Sequence, residues 1–216
     1  LVLRRQRQMC IRDRYIASNS GSGGNAISTL GGSGNTVIRA GEWQHISFTR
    51  SSNTARLFHN GVQVGSDTTL STNFVDDQIL IGANNHAGGY PAYEYVGYIS
   101  DVRVVKGTAV YTANFTPPTR KLTAIANTSL LTCHLPYFGD ASSNNIGITF
   151  TGNTTLRRHS PYDYAFYTPS THGASVYFDG SGDFLSIPDT TTTEFGSGDF
   201  TLEMCCLLYT SPSPRD

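Results

Sequence analysis

The sequence predicts an all-β, antiparallel fold, and three observations predict it. Apolar and polar residues alternate with period two in short runs, and no longer segment follows the 3.6-residue period of an amphipathic helix. Gly, Asn, Asp and Pro punctuate those runs where chain reversals are needed, with 22 Gly and 9 Pro in all. Charged residues make up only 14% of a chain rich in Ser, Thr, Asn and Tyr, the composition of a secreted or virion-surface β protein.

Taken in order, WQHISFTR (Trp43 to Arg50) sets Ile46 and Phe48 against Trp43, His45 and Ser47, so one face of a strand is apolar. ARLFHNGVQVGS (Ala55 to Ser66) is a hairpin around Asn60-Gly61, the pair that best tolerates the two positive φ angles of a type I′ turn. DQILIGA (Asp77 to Ala83) is a short apolar strand leading into a Gly/Tyr-rich loop. YVGYISDVRVVKG (Tyr95 to Gly107) is the longest strand, with Val96, Tyr98, Ser100, Val102 and Val104 expected on one face. Pro117-Pro118 breaks any strand and predicts a tight connector leading out of a domain. Beyond it, SLLTC, ITFTGN, ASVYFDGSGDFLSIPD and DFTLEMC resume the rhythm of strand and turn, with Gly180 to Asp183 as the turn of one hairpin. Glycine runs near 21–24 and 31–34 read as hairpin loops.

The two ends of the chain are related through the genetic code. Met9 to Asp13 and the start of Arg14 can be encoded by ATG TGT ATA AGA GAC AG. The reverse complement, read from its second base, encodes Cys206, Leu207, Leu208, Tyr209 and Thr210. The inverted repeat resembles the transposon end of sequencing-library adapters. Residues 1–14 are therefore expected to be adapter-derived, disordered or extraneous, and 206–216 likewise adapter-derived, so both are excluded from fold reasoning. The basic stretch Arg4 to Arg14 then loses its meaning as a nucleic-acid arm. Residues 15–205 hold nine Lys and Arg against fourteen Asp and Glu, a net charge of −5 where the whole chain has −1. No nucleic-acid partner is expected of an acidic chain, and no membrane partner where no long apolar run occurs. Only Cys133 is securely native, so cysteine usage does not report the redox compartment.

GEWQHISFTR, ARLFHNGVQVG, GYISDVRVVKGTAVYTANFTPP, SLLTC, GASVYFDGSGDFLSIPD and FGSGDFTLEMC together resemble the laminin-G-like, concanavalin-A-like jelly-roll repeats found in tandem in phage tail and virion structural proteins and in bacterial surface proteins. The resemblance implies an antiparallel jelly-roll β-sandwich. It also implies that the pieces stand in the reverse order: residues 15–128 match the C-terminal half of one repeat and 129–205 the N-terminal half of the next. Half a jelly roll leaves an apolar face and unpaired edges in water. The expectation is a single sandwich completed in permuted order, with the strands of Phe178 and Leu185 touching those of Trp43 or Val102.

Glucanases of that fold carry Glu-x-Asp-x-x-Glu on one strand, placing two carboxylates where hydrolysis needs them. No such triplet occurs here; Glu42, Glu94, Glu194 and Glu203 are dispersed and none has an Asp two residues on. The six His show no zinc spacing, and neither a nucleophile elbow nor a phosphate loop occurs. The expected function is a non-enzymatic carbohydrate-binding, adhesion or spacer module on a virion or cell surface, with cell-surface glycan or neighbouring repeats as partners. The alternative is an accessory domain of a polysaccharide-degrading enzyme whose catalytic domain lies outside this chain.

GANNHAGGYPAYEY (Gly82 to Tyr95) joins amides to tyrosines on a Gly-flexed loop, the mixture that stacks on sugar rings and fixes their hydroxyls. The candidate ligand residues are Asp76, Asp77, Asn84, Asn85, Tyr90, Tyr93 and Tyr95; the competing reading is a solvated loop whose rings pack on the rim. The resemblance also places one structural calcium at Asp101 and Asp179, against the alternative that Asp101 caps a strand end or pairs with Arg103 and Asp179 serves its turn.

Overall fold

Alternation in Trp43 to Arg50 builds a strand at the heart of the molecule. The computed structural model describes residues 2–3, 14–18, 25–30, 39–75, 79–86, 89–92, 94–162 and 166–209, with 2–30, 84–86 and 89–92 described as backbone only. Three N-terminal strands, β1 (Val2–Leu3), β2 (Arg14–Ser18) and β3 (Asn25–Leu30), form one small sheet. They are followed by β4 (Trp43–Ser51), β5 (Thr54–His59), β6 (Val62–Thr69) and β7 (Ile79–Ile81). A two-stranded ribbon, β8 (Asn84–His86) and β9 (Gly89–Ala92), precedes the long β10 (Val96–Lys106). The remaining elements are β11 (Thr128–Thr132), β12 (Thr149–Thr151), β13 (Thr155–Arg157), one turn of helix α1 (Pro169–His172), β14 (Ser175–Asp179), β15 (Phe184–Ile187) and β16 (Phe200–Leu208). Every ladder between named strands is antiparallel.

The main sheet runs β13-β14-β10-β16-β4-β5-β6, with β11 also on β10, and a second sheet runs β12-β15-β7. Their facing side chains close one core: Ile46 and Phe48 from β4, Val102 and Val104 from β10, Phe178 from β14 and Leu202 and Met204 from β16 meet Ile79, Ile81, Leu185 and Ile187. Strands from 129–205 are thus interleaved with strands from 15–128. β16 lies between β10 and β4, β14 pairs with β10, and β15 pairs with β7. The architecture is the concanavalin-A-like sandwich, with one core shared by strands of both segments. Asn60 and Gly61 take φ of 48° and 77°, as a type I′ hairpin requires.

Three expectations are corrected. The face expected to carry Val96, Tyr98, Ser100, Val102 and Val104 together is split, because β10 advances three residues from Ser100 to Arg103 while β16 advances two, from Cys205 to Glu203. This bulge at Asp101 (φ 54°) moves the apolar set from Ile99 to Val102 and Val104 and turns Tyr98 and Ser100 to the outer face. Pro117-Pro118 does not lead out of the domain. Residues 107–127 fold back as a strap over the outer face of the sheet, where Phe115 N–H donates to Gly61 O at 2.9 Å and the Phe115 ring stacks on Tyr111 and meets Phe58 and His45 edge-on. The prolines only remove donors that a strap does not need. Lastly, the terminal stretches do not all stay out of the sheets: Val2–Leu3 pairs with β2, and Cys206, Leu207 and Leu208 are buried in β16. Ladder bonds come from the backbone, and the positions in β16 ask only for apolar side chains.

Candidate functional site

The end of the sandwich where β10 begins carries most of the expected ligand residues. Asn84 and Asn85 lie on β8 and Tyr90 on β9, so the Gly82–Tyr95 loop is built on a small ribbon in which Asn84 pairs with Ala92. Asp76, Asp77 and Tyr93 lie outside the described residues. Tyr95 is a correction. Its N–H donates to Gly82 O at 2.7 Å, and its ring, 6% exposed, packs edge-on against Phe178 in the core. It anchors the base of the loop and has no face to offer a sugar.

Beside that loop, the turn between β14 and β15 is held by three carboxylates. Asp183, fully buried, accepts the N–H groups of Asp179 at 2.9 Å and Asn153 at 2.7 Å. Asp179 accepts from Ser181 N–H at 2.7 Å, and Glu94 reaches across from the loop to accept from Gly182 N–H at 2.5 Å. Gly180 and Gly182, at φ 84° and 75°, turn those N–H groups toward the acids. Sequence reading missed Glu94 and Asp183, since Gly182 is distant from the one and Asn153 from the other in the chain; an Asp closing a Gly-x-Gly turn was the available signal.

Asp101 and Asp179 are not brought together. Asp179 stands opposite Val96 on β10, and Asp101 lies five residues further along, about 16 Å away at strand rise. Asp101 sits at the seam where β14 ends and β11 begins along the same edge of β10. Its Oδ1 accepts from Leu122 N–H at 2.7 Å, and its Oδ2 accepts from Ser100 Oγ at 2.9 Å and Tyr162 OH at 3.1 Å. Burial pushes this carboxyl above its ordinary range, the reverse of what a cation ligand needs. Both oxygens face donors, so the two-carboxylate calcium site does not fit these residues. Among the described residues, no group of three or more His, Cys, Asp and Glu is placed to hold a metal.

Glu203 is a fully buried ionisable group on the outer face. Arg103 Nε donates to Oε1 at 2.8 Å and the guanidinium pairs with it at 2.5 Å, while His45 Nε2 and Tyr111 OH reach Oε2 at 3.0 and 2.9 Å. Burial raises this carboxyl, but the hydrogen bond from His45 and the charge of Arg103 outweigh it and hold it below the usual range. Tyr111 is pushed above its normal value by burial and by Glu203. Glu203 and His45 lie under the strap, to which Tyr111 belongs, and the network ties the strap to the sheet.

Residues 11–110 match the family model described as Concanavalin A-like lectin/glucanases superfamily. This segment is laminin-G-like. The laminin-G-like segment holds the Gly82–Tyr95 loop, Asp101 and the strands β2 to β10, while β11, β13, β14 and β16 complete the main sheet and β12 and β15 the second sheet from beyond the match. No curated protein and no solved structure gives a significant match to the chain. The superfamily supports a carbohydrate-binding or structural module in general; it includes glucanases and by itself decides no activity.

Proposed function

We propose that this chain is a non-catalytic carbohydrate-binding module of a phage tail or cell-surface protein, formed from complementary halves of two successive repeats, 15–128 and 129–205. The observation that carries the reading is the use made of its enclosed carboxylates. Asp101, Asp140, Asp183 and Glu203 each accept two or more hydrogen bonds from the protein itself, and those bonds hold turns, the bulge and the strap. A general acid and a nucleophile must instead face a substrate in a cleft. The loop of Asn84, Asn85, Tyr90 and Tyr93, framed by the acidic turn, is the rim where a glycan is expected to sit.

A glycan array probed with the full chain, with and without calcium, tests the reading. Binding to at least one cell-surface glycan class is expected, with no release of reducing ends from β-glucans. Hydrolysis would refute the non-catalytic assignment, and an array without binding in either condition would leave only the spacer role. A longer reading frame with tail-like segments and further repeats is expected; a neighbouring catalytic domain would make the module an enzyme accessory instead.

A further inference from the structure

One cross-strand row on the outer face of the main sheet is aromatic. Tyr177 on β14 pairs with Tyr98 on β10, Tyr98 with Leu207 on β16, and Leu207 with Trp43 on β4. Three strand spacings put the ends of the row about 14 Å apart. Core positions on either side, Val176, Phe178, Ile99 and Cys206, point inward, so the rings of the row point out. Tyr98 lies 5.0 Å from Tyr177 and 6.4 Å from Trp43, and the ring of His159 wedges between Trp43 and Tyr98 at 5.3 and 4.8 Å. Trp43 Nε1–H donates to His159 Nε2 at 3.3 Å, which fixes the indole. Trp43, Tyr98, Tyr177 and His159 are all only half-buried. The strap covers the neighbouring residues His45, Thr49 and Phe58.

Charge is asymmetric along this row. Arg157 and Arg158 are consecutive and exposed at the β13 edge, and the Arg157 guanidinium carbon lies 6.0 Å from the centre of the Tyr177 ring. One of the nine cations in residues 15–205, Arg157, therefore adjoins the aromatic row of an otherwise acidic chain. On the other side, Asp179 follows Tyr177 on the same strand face and leads to the acidic turn.

We propose that this row binds an acidic polysaccharide: Trp43, Tyr98 and Tyr177 pack against the apolar C–H faces of successive sugar rings, and Arg157 pairs with a sugar carboxylate. Rigid Tyr and Trp rings give large contact area at little entropic cost, and a guanidinium matches a carboxylate in two hydrogen bonds. Sites on both segments contribute, Trp43 and Tyr98 from one and Arg157 and Tyr177 from the other, so the surface exists only when the permuted sandwich is assembled. The proposal rests on the reading as a glycan-binding module only for its choice of ligand, and its location is separate from the Gly82–Tyr95 loop.

Trp43 is the sole tryptophan, so its emission reports the row directly. The full chain is titrated with sodium polygalacturonate, neutral dextran and single-stranded oligothymidylate. Polygalacturonate is expected to change Trp43 emission saturably, with affinity about tenfold lower in Tyr177→Ala and about threefold lower in Arg157→Gln. The effect should fade with added salt and be untouched by Tyr93→Ala. Unchanged urea midpoints in Tyr177→Ala and Arg157→Gln show that the fold is intact, and Arg157, being exposed, covers the case where Tyr177→Ala unfolds. No saturable change, or an equal response to dextran, overturns the assignment; a stronger response to oligothymidylate replaces it with a nucleic-acid surface. Array binding that Tyr93→Ala abolishes while Trp43 stays silent would uphold the rim and sink the row.

Discussion

Replacing Glu203 by Gln tests whether the buried network fastens the strap. Glu203 is fully buried and Arg103 is 5% exposed, so the pair exchanges little with solvent. Removing one partner of a buried pair costs about 3–5 kcal/mol, because the charge left behind has lost its counter-ion. Gln keeps one acceptor oxygen, and Arg103 keeps its bond to Thr123 O at 2.8 Å, which puts Glu203→Gln at the low end, about 3 kcal/mol. For a chain of this size that is a fall of roughly 6–12 °C in Tm. Urea unfolding followed by Trp43 emission measures it. Arg103→Met should cost a similar amount, and the double variant should fall short of the sum by about 2 kcal/mol, because neither charge is then orphaned. The pH dependence has a definite sign. Glu203 is held below its unfolded value of about 4.3, so its contribution is complete above that pH and is lost as pH falls through the lower folded value. The gap between wild type and Glu203→Gln should therefore close as the solution is acidified below pH of about 4. A penalty under about 1 kcal/mol at neutral pH, or additive single variants, would refute this account of the strap.

Gly61→Ala should destabilise by more than about 1 kcal/mol in the same urea assay: at φ +77° a side chain is strained, and its Cβ would overlap the Phe115 carbonyl oxygen of the strap. Asp101→Asn should cost about 1–3 kcal/mol, since an amide offers a donor where Ser100, Leu122 and Tyr162 already donate; a neutral result by thermal denaturation would show that the seam between β14 and β11 does not depend on the carboxylate. Burial pushes the Cys133 thiol up to about 12 and raises that of Cys205 as well, so in a Cys10→Ser chain thiol reagents should modify neither until denaturant is added. Fast labelling at neutral pH would show that these strands open readily.

Local rules reach some of these elements and miss others for identifiable reasons. Ile46 and Phe48 alternate against polar neighbours and Asn60-Gly61 follows, so β4 and its hairpin were legible from residues close in the chain. The bulge in β10 was not, because Val96, Tyr98, Ser100, Val102 and Val104 read as unbroken alternation; only the register against β16 shows the extra residue. Arg50 reads as a polar strand end, yet it is fully buried, donating to the carbonyls of Thr72, Gly196 and Gly198 with Phe74 and Phe200 over its guanidinium. Those partners come from two distant loops, which no local pattern encodes. For the site, composition pointed to the Gly82–Tyr95 loop, but period two cannot tell which face of a strand meets solvent, so Tyr95 was taken for a ligand residue and Tyr98 was set on one face with Val102 and Val104.

The outer face of the sheet divides along its rows, and that division connects fold to function. Glu203 and Arg103 in one row, and Thr49 and Thr201 in the next, bond to one another or to the strap, whose Tyr111 carbonyl takes Thr49 Oγ1 at 2.9 Å. Bare, that half would leave an ion pair to be hydrated and Phe58 exposed; covered, it buries Tyr111 and Phe115 against them. Two rows further on, Trp43, Tyr98 and Tyr177 present rings that need no hydrogen-bonding partner over their faces. That half stays stable when open to water, each ring sheltered at its edge by a neighbour. The sheet can therefore spend its strap on the charged rows and leave the aromatic row uncovered, where the cost of exposure is lowest and the gain from an apolar sugar face is greatest.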